Sequence, residues 1–190
     1  MNELTENKTL EAQSSITMTI LLVSFSMLFG TLFLGYLIFR ARSAQWPPMG
    51  VTIPGLFAPS LSTGIIALSS LTYFLMESSF KKLNEKRKTY FFLTELLILG
   101  FALSQFNLWS ELSKVGINSD SGILGSMIYG FTWIHAGHIL VGFLLVSSLY
   151  KTIFAEKISF KGLLKVKNYG LIWHFLGIIW VLLYLMLFIF

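Results

Sequence analysis

At 190 residues, with 55% hydrophobic and 16% aromatic side chains against 12% charged and a mean hydropathy of +0.73, this chain carries more apolar surface than one water-soluble core can bury. It contains no cysteine, which excludes disulfides, thiolate-bound copper, iron–sulfur clusters and covalently attached c-type haem. The net charge of +5 does not point to nucleic acid, because most of the cations fall in two clusters between apolar runs, as membrane topology signals do.

Residues 1–14 read as a short solvated tail. They are polar and acidic, with Glu3, Glu6 and Glu11, and lack the basic start and small-residue cleavage site of a secretory signal. Apolar runs of about 20 residues, each long enough to cross a bilayer, then follow at roughly 15–39, 57–79, 89–110, 122–150 and 168–190. The expectation is an all-α polytopic membrane protein, one bundle of five transmembrane helices over residues 15–190.

The connection after the first span holds all four prolines, Pro47, Pro48, Pro54 and Pro59, and begins Gln45-Trp46-Pro47-Pro48-Met49-Gly50. Proline fixes φ and lacks an N–H, so a stiff, extended outer loop is expected, with Trp46 at the headgroup level and Pro59 opening the second helix. Span two then aligns Ser60, Thr63, Gly64, Ala67 and Ser70 on one stripe. Span four carries Gly122, Ser126 and Gly130 at steps of four. Such small-residue ladders predict close helix approach, within the chain or onto a larger membrane partner.

Eleven of the 14 Lys and Arg residues share one face of a five-span topology: Lys8, the cluster Lys81, Lys82, Lys86, Arg87 and Lys88, and the cluster Lys151, Lys157, Lys161, Lys165 and Lys167. Arg40, Arg42 and Lys114 lie on the other. The positive-inside rule therefore places the amino terminus in the cytoplasm and the carboxy terminus outside.

Polar groups within the spans mark the candidate functional residues, because a titratable side chain is costly in hydrocarbon unless it faces protein or a polar partner. His135 and His138 lie three apart in span four and His174 in span five, within Trp173-His174-Phe175. Hydrogen bonding between helices is their expected role, with haem or metal ligation as the alternative. Glu95 lies about 10 Å inside span three from Lys88 at 1.5 Å per residue. It is expected to reach the headgroups or bond to a neighbouring helix, or else to hydrogen-bond near His135, His138 or Tyr129 or approach a partner's proton-uptake side. Glu77 and Lys81 suit an i,i+4 pair. Trp173 and Trp180, seven apart, share a face suited to packing on a helix or on lipid tails; Lys165 and Lys167 with Trp173 form a candidate site for an anionic headgroup.

The ordered set Trp46-Pro47-Pro48 with Gly50, Pro59 with Ser62-Thr63, Gln105 with Trp109, Tyr129 through His135-Ala136-Gly137-His138 to Gly142, and Trp173-His174-Phe175 with Trp180 resembles subunit III of haem–copper oxidases. The similarity is to the short, five-helix bacterial form of cytochrome c oxidase subunit III. That resemblance implies a non-catalytic subunit of an aerobic terminal oxidase, which reduces oxygen to water and pumps protons. The chain would bind no catalytic group or metal of its own, with haems and copper in partner subunits. It would stabilise subunit I, hold phospholipid, and sit with subunit II in a bacterial inner membrane; further small subunits and a respiratory supercomplex are among the implied partners. The family's usual buried acids are replaced by Phe25, within Ser24-Phe25-Ser26, and by Gly177.

Related assemblies remain open at this stage: a quinol oxidase with a similar third subunit, or a nitric oxide reductase with an accessory subunit. An independent small transporter using Glu95 and the histidines, or a b-type cytochrome, would belong to different classes.

Overall fold

A computed structural model describes residues 2–46 and 55–189; Pro47, Pro48, Gly50 and Pro54 of the expected stiff loop lie outside the described residues.

 

Among the described residues, six helices follow in order: α1 (Asn2–Arg42), α2 (Phe57–Lys81), α3 (Lys86–Lys114), α4 (Gly122–Ser147), the single turn α5 (Tyr150–Ile153) and α6 (Phe160–Tyr184), which continues as a π-helical turn over Leu185–Ile189. Among the described residues, five helices are long and apolar enough to cross a membrane. Two boundaries differ from expectation. α1 runs unbroken from Asn2, so the polar tail is helical and continuous with the first span; its Glu, Leu, Lys, Ala and Gln residues are good helix formers. α6 opens at Phe160 rather than near 168, because the Ser159 hydroxyl caps it by accepting the Gly162 N–H at 3.0 Å. Pro59 falls in the first turn of α2, where its missing N–H costs no helical bond.

The connections are tight. At the end of α3, Gly116 adopts φ +78°, while Ile117 N–H reaches Leu112 O at 3.0 Å and Gly116 N–H reaches Ser113 O at 3.0 Å. This is a Schellman motif with glycine in the left-handed position. The end of α2 has the same pattern, Asn84 N–H to Ser79 O at 3.0 Å and Leu83 N–H to Phe80 O at 2.9 Å, but leucine occupies the left-handed position at φ +52°. In the same connection Lys88 donates to Glu85 at 2.7 Å, and that bond holds the exposed Glu85 carboxyl below its ordinary range.

α2 and α3 form an antiparallel hairpin with the most extensive interface, and α6 packs on α2, α4 and α1. α6 is the hub: Trp173, Trp180 and Leu183 are fully buried. α1 buries Met18, Phe29 and Tyr36 along one face and leaves Ile16, Ile20, Val23, Met27 and Leu34 exposed. The Gly122–Ser126–Gly130 ladder receives no helix of this chain. No atom comes within 4 Å of a Cβ built at Gly122 or Gly130, and the ladder borders an open groove of about 590 Å³ against Thr31, Gly35 and Phe39 of α1.

Leu83→Gly is expected to stabilise the chain by about 0.5–1 kcal/mol, the relief of a left-handed leucine less the added freedom of glycine when unfolded. Thermal unfolding in detergent measures it.

Candidate functional site

The interior polar groups form three seams. Between α2 and α6, Trp173 Nε1–H donates to Ser69 Oγ at 3.2 Å and Trp180 Nε1–H to Thr63 Oγ1 at 3.1 Å. Tyr73 OH donates to Val166 O at 2.8 Å, Ser60 meets Tyr184 OH at 2.9 Å, and Ser70 hydrogen-bonds His174 Nδ1. Part of the small-residue stripe of span two thus faces α6, although Gly64 and Ala67 are exposed. Between α3 and α4, Trp109 Nε1–H donates to Thr132 Oγ1 at 3.0 Å, and Tyr129 OH lies 3.2 Å from both Trp109 O and Ile117 O. Hydroxyl pairs Ser62–Ser104 at 2.9 Å and Thr94–Thr72 at 3.0 Å join α2 to α3.

Of the three histidines, only His174 makes the expected bond between helices. His135 is fully buried, stacked on Trp180 at 5.5 Å with the rings of Phe29 and Phe101 at 6.2 Å, and neither ring nitrogen has a hydrogen-bond partner. His138 is half-buried, and its Nδ1–H donates to Ile134 O on its own helix at 2.7 Å. Three residues of helix separate these rings by about 60° of azimuth, enough to put one in the core and the other at its edge. The opposed pair that a b-type haem would need is not formed, since His174 is tied to α2 and His135 is enclosed by aromatic rings. Among the described residues no three His, Asp or Glu side chains converge into a group that could hold a metal.

Glu95 is half-buried and accepts the Ser147 hydroxyl at 3.1 and 3.2 Å, so it takes the neighbouring-helix bond among the expected alternatives, at the α4 end nearest the second Lys cluster, and makes no bond to His135, His138 or Tyr129. Trp173 is wholly internal and does not join Lys165 and Lys167, which are exposed. Lys167 instead borders a small cleft of about 160 Å³ with Glu11 and Ser14 of α1. Trp46 is half-buried and edge-on to Tyr36 at 5.4 Å. Glu77 pairs with Lys81 at 2.7 Å as expected.

Phe25 and Gly177, the positions where the resemblance implies acids, are histidine neighbours. Phe25 lies edge-on to His138 at 4.9 Å, and Gly177 lines an apolar groove of about 600 Å³ with His174 and Ser70. Sequence reasoning missed Arg87, treated there as one cation of a topology cluster. It is 3% exposed, and donates from Nε to Ile153 O at 2.8 Å and from Nη2 to Ala155 O at 3.0 Å. The available signal was one arginine among lysines, since only the planar guanidinium forks onto two carbonyls.

Comparison with known proteins agrees with this arrangement. Residues 4–190 match the family described as cytochrome c oxidase subunit III. The chain is 26% identical over 172 residues to cytochrome c oxidase subunit 3 of Thermostichus vulcanus, covering 90% of this chain and 84% of that protein. It is 26% identical over 170 residues to that of Synechocystis sp., covering 88% and 72%. Against that of Struthio camelus it is 31% identical over 147 residues, 75% of this chain but 54% of that longer protein.

Arg87→Lys is expected to cost about 1–2 kcal/mol and Arg87→Ala about 3 kcal/mol, because buried carbonyls lose charged donors. Thermal unfolding, with faster proteolysis at residues 154–159, measures both.

Proposed function

Since the chain belongs to the cytochrome c oxidase subunit III family and is a subunit of the terminal respiratory oxidase, we propose that its part is to brace catalytic subunit I and retain phospholipid, without taking part in electron transfer. The observation that carries this reading is how the polar interior is used. Apart from a few orphaned atoms, the buried indoles and hydroxyls are committed to helix–helix bonds, while long apolar faces, above all that of α1, point outward. Such faces suit lipid or another membrane protein.

Oxygen reduction and the proton pumping coupled to it then belong to haems and copper in partner subunits. The donor groups of this chain do not fit either centre: it has no cysteine, and its histidines do not converge. The grooves between α1 and α4 and between α2 and α6 have the apolar lining that acyl chains need, and the exposed Lys165 and Lys167 suit anionic headgroups. The cation distribution supports an amino terminus in the cytoplasm, and the bacterial relatives support a bacterial inner membrane as the location.

Purification through a tag on this chain is expected to bring down a haem–copper catalytic subunit and a subunit with a dinuclear copper motif, with a haem spectrum that the isolated chain lacks. A preparation without a haem–copper chain overturns the reading; a catalytic chain without the copper subunit redirects it to a quinol oxidase. Orientation has its own test, made clean by the absence of native cysteine. Asp120→Cys should react with an impermeant maleimide in spheroplasts, and Lys157→Cys only after permeabilisation; the reverse pattern inverts the topology.

A further inference from the structure

Gln105 and His135 are 3% and 1% exposed, and all four of their side-chain nitrogen and oxygen atoms are buried without a hydrogen-bond partner. Buried polar groups are seldom left in that condition, since each unsatisfied group costs about 1–3 kcal/mol. In hydrocarbon there is no bulk water to relieve it.

The two residues lie at one level of the bundle. α3 and α4 are antiparallel, with Trp109 bonded to Thr132 at 3.0 Å and Phe101 edge-on to His135 at 6.2 Å. Gln105 sits midway between Phe101 and Trp109 on the same stripe of α3, and therefore opposite the turn of α4 that carries His135. Consistent with this, Gln105 and Ala136, the neighbour of His135, line the same α3/α4 cavity of about 290 Å³ with Phe101, Trp109 and Ile139.

The surroundings supply no protein partner. The Trp180 and Trp109 N–H groups are committed to Thr63 and Thr132, and the Thr132 hydroxyl donates to Ile128 O at 2.8 Å. The rest of the lining is aromatic or aliphatic. A neutral imidazole presents one donor and one acceptor, and a carboxamide two donors and an oxygen acceptor. A ligand that satisfies both must be small and must donate and accept at once.

We propose that Gln105 and His135 form a buried hydration site, in which ordered water bridges imidazole and carboxamide near the middle of the membrane. Interior water is retained where buried polar groups would otherwise lack partners, with two to four partners for each molecule; here the polar groups are those of Gln105 and His135 alone, in otherwise apolar surroundings. The bridge ties α3 to α4 beside the Trp180 hub, at the level where these helices have no direct polar bond.

A structure of the assembled oxidase at a resolution that shows water is expected to contain solvent density within hydrogen-bond distance of a His135 ring nitrogen and the Gln105 carboxamide. An empty space, a direct Gln105–His135 bond, or a side chain of another subunit reaching in would each overturn the proposal. A variant cycle tests the shared bridge independently. Gln105→Leu and His135→Phe should each lower the unfolding temperature of the assembly, and the double variant should lose less than the two losses combined, because no polar group is then left stranded. Fully additive losses, or single variants without effect, overturn it; if a variant fails to assemble, the wild-type density decides.

Discussion

Two indole N–H groups on α6 set the terms for the rest of the bundle. In hydrocarbon a polar hydrogen without an acceptor has no water to turn to, so Trp173 and Trp180 can be buried only where α2 presents hydroxyls at matching height. Ser69 and Thr63 do so. On the opposite side Gly142 lets α4 close on the same helix: a Cβ there would lie 3.1 Å from Leu176 and 3.2 Å from Trp173. Gly170 does the same for α2, whose Tyr73 ring would be 2.7 Å from an added Cβ. The hub therefore combines hydroxyls that satisfy the indoles with glycines that admit their bulk.

Two of the histidines, His138 and His174, find their hydrogen bonds without a carboxylate. Phe25 presents a ring edge to His138, which turns its N–H to the carbonyl of Ile134 on its own helix. At Gly177 no side chain reaches His174, and Ser70 serves as its hydrogen-bond partner from across the interface. In each case a neutral hydrogen bond serves the imidazole, which avoids placing a charge in the apolar bundle.

Much of this was legible in the chain. The five apolar runs, the Glu77–Lys81 pair and the α6 face carrying Trp173 and Trp180 follow from length and spacing alone. Helix ends were less so: hydropathy does not register the helical propensity of residues 2–14 or the Ser159 cap. Partners were least legible. Glu95 meets Ser147 instead of a histidine, and the Gly122–Ser126–Gly130 ladder faces a groove instead of a helix, because spacing gives azimuth on one helix and leaves open which helix stands opposite.

By itself the sequence determined that this is a cysteine-free, multi-pass helical membrane protein, and its ordered motifs pointed to the family, since composition, run length and short-range spacing are properties of the chain read along its length. Only the tertiary structure decided which polar groups meet. Arg87 became a buried clamp on Ile153 and Ala155, and Gln105 and His135 became an unsatisfied pair. The physical reason is that a hydrogen bond depends on distances of a few ångströms between helices, and those are set by the packing of the whole bundle.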